Sequence, residues 1–205
     1  MVILNIKGLR RSNGIYEGLR ASLKLMEVLV PLVDGFEEIE AIAIVDVLRR
    51  AGLKVTTAGM PSTMVQGSHG IQVVADKKFD ALNFREYDAL VLPGGPGHAI
   101  MAKSEKMLGL IADFDSRGKV IGAICAAPMV LAKAGILNDK KATIYPGMER
   151  EIQRPRPDKV VVDGNVIKSQ GPGTAIEFAL KLVEKLVSRD KSNQLKKELV
   201  HEVYL

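Results

Sequence analysis

The sequence predicts an α/β fold: a mainly parallel sheet covered by helices on both faces, with one antiparallel hairpin appended. Short apolar, β-branched runs recur at residues 28–33, 53–58, 87–92 and 120–124, and segments with apolar residues at helical spacing separate them. Val160-Val161-Val162 and Val166-Ile167-Lys168 flank Asp163-Gly164-Asn165, which signals a tight hairpin rather than another crossover. With 205 residues, 47% of them hydrophobic and 26% charged, the chain is the size of one domain with a full core.

Each element has its own justification. Residues 1–25 lack strong periodicity and are expected to form an N-terminal extension, so the single domain is placed at residues 26–205. Residues 28–33 read as a strand, Asp34-Gly35 as a turn, and residues 36–50 as a helix with Glu37 and Glu38 at its positive end and Arg49 and Arg50 at its negative end. Glu37 and Glu38 read as solvated first-turn acids. Ile39, Ile42, Ile44, Val45, Val47 and Leu48 leave this helix almost no polar face, so it needs cover on both sides. The sheet supplies one cover. A second copy of the chain is the simplest other, and a homodimer through this helix is expected.

Residues 64–66 and 70–75 read as a short edge excursion. The strand at 87–92 runs into Pro93-Gly94-Gly95-Pro96-Gly97, a loop that continues neither strand nor helix. Ser104 caps a helix reaching about residue 116, ended by Gly118. The strand at 120–124 enters Cys125, and the small, unbranched residues 126–134 read as a helix. Residues 142–145 are expected as a strand, 148–153 as a short helix, and Thr174 as the start of a long helix. The tail from residue 190 to 205 reads as a polar surface helix.

Charge and cysteine content narrow the function classes. The net charge of +5 is concentrated in residues 1–25, where five basic residues meet one acid, so the remaining chain is nearly neutral. That is no nucleic-acid signal, which requires a basic stripe on the folded domain. A single cysteine excludes an internal disulfide framework and suits a reducing, cytoplasmic location. No apolar run approaches a membrane span, and no secretory signal is evident at the start.

In open parallel sheets, ligands bind beyond the carboxyl ends of the strands. Residues 35–40, residues 94–98, Cys125 and Tyr145 all follow expected strand ends, so they can converge there. Cys125 occupies a strand-to-helix corner, where a side chain is pushed out above the sheet beside unpaired helix N–H groups that favour a thiolate. Glu40 shares a helix face with Ile44 and Val47, and burial there would raise its pKa and let it donate a hydrogen bond or move a proton. Gly94 and Gly95 allow close backbone approach, and their N–H groups with that of Ala126 can hold an oxyanion. The glycine loop matches neither a dinucleotide fingerprint nor a phosphate loop, and the three dispersed histidines lack zinc spacing, so neither cofactor nor metal is expected. His98 follows the glycine loop and could approach Cys125, the alternative being a surface histidine.

Asp34-Gly35-Phe36-Glu37-Glu38-Ile39-Glu40, Leu92-Pro93-Gly94-Gly95, Ala123-Ile124-Cys125-Ala126-Ala127-Pro128 and Ser169-Gln170-Gly171-Pro172-Gly173-Thr174 occur in this order. Together they resemble the ThiJ/PfpI superfamily, in particular the branch of the parkinsonism-associated deglycase and its bacterial chaperone-like relatives. The resemblance implies a flavodoxin-like three-layer sandwich, usually dimeric, with Cys125 as nucleophile, Glu40 as its carboxyl partner and oxyanion contacts from Gly95 and Ala126. It implies small aldehydes or glycated molecules as substrates, through glyoxalase-type or deglycase chemistry in stress protection. An oxidation-sensing chaperone without turnover and a cysteine peptidase are the alternatives. The peptidase branch carries a histidine directly after its cysteine, where this chain has Ala126. The deglycase carries a histidine where this chain has Tyr145, and a phenol is a poor base near neutral pH.

Overall fold

The computed structural model describes residues 26–201. The expected extension at residues 1–25 and the end of the expected tail helix lie outside them. The elements are β1 (Glu27–Val33), α1 (Glu38–Arg50), β2 (Lys54–Met60), β3 (Met64–Gln66), β4 (Gln72–Val74), β5 (Lys77–Lys78), β6 (Ala89–Leu92), α2 (His98–Met101), α3 (Glu105–Ser116), β7 (Val120–Ile124), α4 (Pro128–Lys133), β8 (Val160–Asp163), β9 (Val166–Ser169), α5 (Ala175–Leu186) and α6 (Arg189–Glu198). Seven strands form one sheet in the order β5-β2-β1-β6-β7-β9-β8, and all of them pair in parallel except β8 with β9. β3 and β4 form a separate antiparallel pair.

Two apolar clusters cover the two faces. One joins α1, α5 and α6 to the sheet through residues such as Ile44, Leu48, Phe178, Leu182 and Leu195. The other joins α3 and α4 through Met107, Ile111, Phe114, Val130 and Leu131. β1 and β6 are buried along almost their whole length, which is why they read as unbroken apolar runs rather than alternating ones. The chain winds from β1 outward to β2, then returns to β6 on the other side of β1. The carboxyl ends of β1 and β6 are therefore a topological switch point. Pro31, which has no N–H to donate, follows the last registered β1–β6 pair, Leu29 with Leu90, so the ladder stops short of the strand ends.

Some expectations give way to local chemistry. Residues 142–145 make a single bridge, Ala142 with Pro155, instead of a strand. Pro146 and Pro155 lack donors, and the Tyr145 N–H is taken by the Cys125 carbonyl. Residues 148–153 shrink to a 3₁₀ turn at Glu149–Glu151. α4 starts at Pro128 because Ala126 and Ala127 are consumed in the corner. The proline-glycine loop does continue into a helix, one turn long, with Gly97 as its N-cap. α1 buries Ile44, Val47 and Leu48 but leaves Ile39 61% and Ile42 52% exposed, so among the described residues nothing covers its outer face.

Lys168 in β9 is 0% exposed and lies on the same strand face as Val166, toward α3 and α4. Its Nζ donates to the Val166 carbonyl at 3.0 Å, and no carboxylate lies within ion-pair distance of it among the described residues. Burial pushes its pKa down from 10.5 to about 8, with Asp163 opposing and Lys140 assisting. A folded chain that releases this proton earlier than the unfolded one gains stability as pH rises from about 8 to 10.5. Below that window the charged amine costs on the order of 3 kcal/mol. Lys168→Met is therefore expected to raise the thermal midpoint by several degrees at neutral pH. The advantage should shrink as the pH approaches 10.5, and calorimetry across that range checks it.

Candidate active site

β7 lies between β6 and β9, and the chain leaves its carboxyl end through Cys125 at φ 61°. For a residue with a Cβ this left-handed conformation costs roughly 1–3 kcal/mol, so the surroundings must impose it. The Cys125 N–H donates to the Ser169 carbonyl and its own carbonyl accepts from the Tyr145 N–H, each at 2.9 Å. The Ala127 N–H donates to the Ile124 carbonyl at 3.0 Å and closes the turn. Held in this way, Cys125 is 8% exposed and borders a cavity of about 650 Å³.

Glu40 reaches the same corner from α1. Glu37 caps that helix by accepting from the Glu40 N–H at 2.7 Å, and the Glu37 N–H donates to the Gly94 carbonyl at 3.0 Å. Glu40 is 0% exposed; its Oε2 accepts from the Gly94 N–H at 2.8 Å, while Oε1 is buried with no hydrogen-bond partner of ordinary geometry. A Cβ at position 94 would sit 2.5 Å from the Cys125 Cβ and 2.8 Å from Glu40 Oε2. Only glycine lets the acid and the cysteine approach from two sides of one peptide. Gly95, at φ 90°, is equally constrained, since a Cβ there would lie 2.4 Å from the Gly35 carbonyl oxygen.

The electrostatics correct the sequence expectation of a depressed thiol pKa. Burial, then the charge of Glu40, pushes the Cys125 thiol up to about 12, although hydrogen bonds from the Gly95 and Ala126 N–H groups pull the other way. α4, six residues long, offers too little dipole to reverse this. Burial likewise raises Glu40 to about 7; the Gly94 hydrogen bond opposes that rise and the charge of Glu37 adds to it. Above about pH 7 and below about pH 12 the acid and the thiol therefore carry one negative charge between them. Gly94 has a different part from the one expected. Its N–H is committed to Glu40, which leaves Gly95 and Ala126 as the donors facing the sulfur.

The rest of the cavity wall includes Glu37, His69, His98, Tyr145 and Met148. Tyr145 is 47% exposed, and a Cβ on Gly171 would lie 3.3 Å from its ring. Glu37 and Glu38, expected as solvated acids, are 7% and 5% exposed. Burial alone would raise Glu38, but hydrogen bonds from the His69 side chain and backbone and from the Ile71 N–H hold it down at about 2. The His69 Nδ1 lies 2.8 Å from its Oε2, and the Ser68 hydroxyl donates to the same oxygen. His69 and Ser68 sit on the β3–β4 turn, thirty residues from their partner in sequence, and only the Gly67-Ser68-His69-Gly70 turn pattern marked them. Glu37, Glu38 and His69 hold ligand-type atoms within 4.8 Å of one another, but Glu38 is already satisfied by protein donors.

The coupling of acid and thiol has a direct test. In Glu40→Gln the carboxylate repulsion is gone, so iodoacetamide should alkylate Cys125 about tenfold faster near pH 8.5 than in the unaltered chain. Below about pH 7, where Glu40 takes up its own proton, the two rates should converge. Mass-spectrometric time courses across pH read both effects, and equal rates at the alkaline end would show the groups to be independent.

Known proteins match this arrangement along most of the chain. The model of the DJ-1/PfpI family matches residues 26–185. Protein dj-1beta of Drosophila melanogaster is 43% identical over 178 residues, covering 84% of this chain and 95% of that protein. Protein DJ-1 homolog B of Arabidopsis thaliana is 44% identical over 83% of this chain, which spans only 40% of that protein's length. A Caenorhabditis elegans relative named glutathione-independent glyoxalase DJR-1.2 is 37% identical over 87% of this chain and 97% of its own. The solved structure titled Toxoplasma gondii DJ-1, oxidized, superposes with a TM-score of 0.83 at 36% identity, covering 85% of this chain and 98% of that one. With the family model matched over residues 26–185 and full-length relatives alike in sequence and superposed fold, the chain belongs to the DJ-1/PfpI family.

Proposed function

We propose that this protein is a cysteine-dependent enzyme of glyoxalase or deglycase type, protecting a reducing, cytoplasmic environment from small reactive carbonyls. One observation carries the reading: a buried acid raised to about 7 faces a thiol raised to about 12 at the edge of a cavity. A carboxyl tuned close to working pH is well matched to removing a proton from a thiol that would otherwise keep it. The name of the C. elegans relative supports the same chemistry.

In this mechanism the Cys125 Sγ attacks the aldehyde carbon of a dicarbonyl such as methylglyoxal as Glu40 accepts the thiol proton. The Gly95 and Ala126 N–H groups steady the oxygen of the resulting hemithioacetal. Transfer of a proton between the two former carbonyl carbons gives a lactoyl thioester, and water releases lactate and the thiol. Among the described residues no lysine or arginine borders the cavity and His69 is paired with Glu38, which favours a neutral dicarbonyl over a phosphorylated one. The second reading, an oxidation sensor, is favoured by the same donors, because Glu40 and the two N–H groups would also hold the oxygens of a cysteine sulfinate. It differs in requiring no turnover.

Incubation with methylglyoxal should yield lactate without added glutathione. Cys125→Ser should abolish the yield and Glu40→Gln should lower it about 100-fold despite a more readily ionised thiol. Absence of lactate from the unaltered chain would leave the sensor reading in its place.

We further propose a homodimer through α1. Its uncovered Ile39 and Ile42, with Met64, Ile71 and Val74 exposed on the β3–β4 pair, form apolar surface of the kind a second copy covers. Ile42→Asp should shift the sedimentation coefficient from dimer to monomer, and an unchanged value would remove α1 from the interface.

A further inference from the structure

Conversion of a dicarbonyl to a hydroxy acid needs a group that moves a proton between two substrate carbons. Glu40 lies beside the sulfur and is not among the residues that border the cavity, so a group on the cavity wall is better placed for those carbons. Among the side chains that do border it, Glu37 is held as the N-cap of α1, with Oε2 accepting from the Glu40 N–H, and the Tyr145 phenol is a poor base near neutral pH. His69 is paired through Nδ1 with Glu38, and its hydrogen bond to that carboxylate raises its pKa and favours the charged ring, which has no lone pair to offer. His98 remains.

The His98 ring is already oriented. Its Nδ1 lies 2.9 Å from the Gly95 carbonyl oxygen, which can only accept. That contact places the proton on Nδ1 and leaves the lone pair of the neutral ring on Nε2. No described residue forms a hydrogen bond with Nε2. The carbonyl that fixes the ring belongs to Gly95, whose N–H faces the Cys125 sulfur. Ring and oxyanion donor are therefore tied to one residue, and that residue is locked against Gly35 and Glu37 by its own backbone.

We propose that His98 is a catalytic residue of this cavity, with Nε2 carrying the proton between the substrate's two carbons. The inference rests on the glyoxalase reading above. In the hemithioacetal the C–H bond of the former aldehyde carbon breaks, its proton goes to Nε2, and its electron pair forms an enediol with the neighbouring carbon. Nε2 then returns the proton to that neighbouring carbon, and the first carbon's hydroxyl proton passes to the neighbouring oxygen, so that the first carbon becomes the thioester carbonyl and the second a hydroxyl-bearing carbon. One carbon is oxidised by two electrons and the other reduced by two, so no external oxidant or reductant enters.

His98→Asn keeps an amide N–H able to donate to the Gly95 carbonyl but has no base. Its kcat for methylglyoxal should fall about 100-fold with KM changed little, while iodoacetamide alkylation of Cys125 stays at the unaltered rate. In His98→Ala, added imidazole should restore at least about tenfold of the lost turnover. Turnover of His98→Asn within about threefold of the unaltered chain, alkylation slowed in step with turnover, or failure of imidazole to rescue His98→Ala would each overturn the assignment. If the unaltered chain forms no lactate, or forms it equally with Cys125→Ser, the glyoxalase reading itself fails and takes this assignment with it. Cysteine-dependent lactate that survives loss of His98 sinks the assignment alone.

Discussion

Gly94 is the constraint on which the site depends. Its N–H holds Glu40, its carbonyl holds the start of α1, and its missing side chain is the space in which the acid meets Cys125. A carboxyl and a thiol brought together with little water between them cannot both ionise cheaply, so each one's protonation is governed by the other. The proposed chemistry is built on that sharing. Burial and the neighbouring carboxylate hold the thiol in its protonated form.

The fold brings these parts together through its strand order. Cys125 follows β7, Gly94 follows β6, and Glu40 rides on the helix after β1, so three adjacent strands deliver the site at the switch point. Because the β1–β6 ladder ends before Pro31, backbone bonds between loops rejoin the two strand ends: Glu37 N–H to the Gly94 carbonyl and Gly97 N–H to the Gly35 carbonyl. The last residue of β9 contributes the Ser169 carbonyl that fixes the Cys125 backbone. Long-range backbone bonds, rather than side-chain packing alone, set the position of the sulfur.

Much of this was legible in the residues. Apolar runs separated by helical spacing gave the parallel sheet, Asp163-Gly164-Asn165 gave the hairpin, and the β7–Cys125 junction marked the corner. Burial of Glu40 followed from its place on the face of Ile44 and Val47. What was not legible depended on distant partners. The isolated segment at 142–145 looks like a strand until its Tyr145 N–H is spent on Cys125, and Glu38 looks solvated until a turn thirty residues away closes over it. The direction of the thiol shift escaped for a related reason. A sequence displays the helix start that favours a thiolate, but not the depth of burial or the distance of the opposing acid.

Two buried ionisable side chains, Glu40 and Lys168, cost the fold stability, and they differ in what surrounds them. Lys168 turns its ammonium back to its own strand at Val166 on a face packed by α3 and α4, away from the cavity-lining residues. Glu40 has one oxygen tied down and the other unsatisfied, with a titrating sulfur as its interaction partner. A polar atom left without a partner inside a protein is expensive unless some step of the working cycle supplies one. In the proposed reaction the thiol proton would supply that partner to the Glu40 carboxyl, whereas nothing in the proposed chemistry calls on the buried lysine.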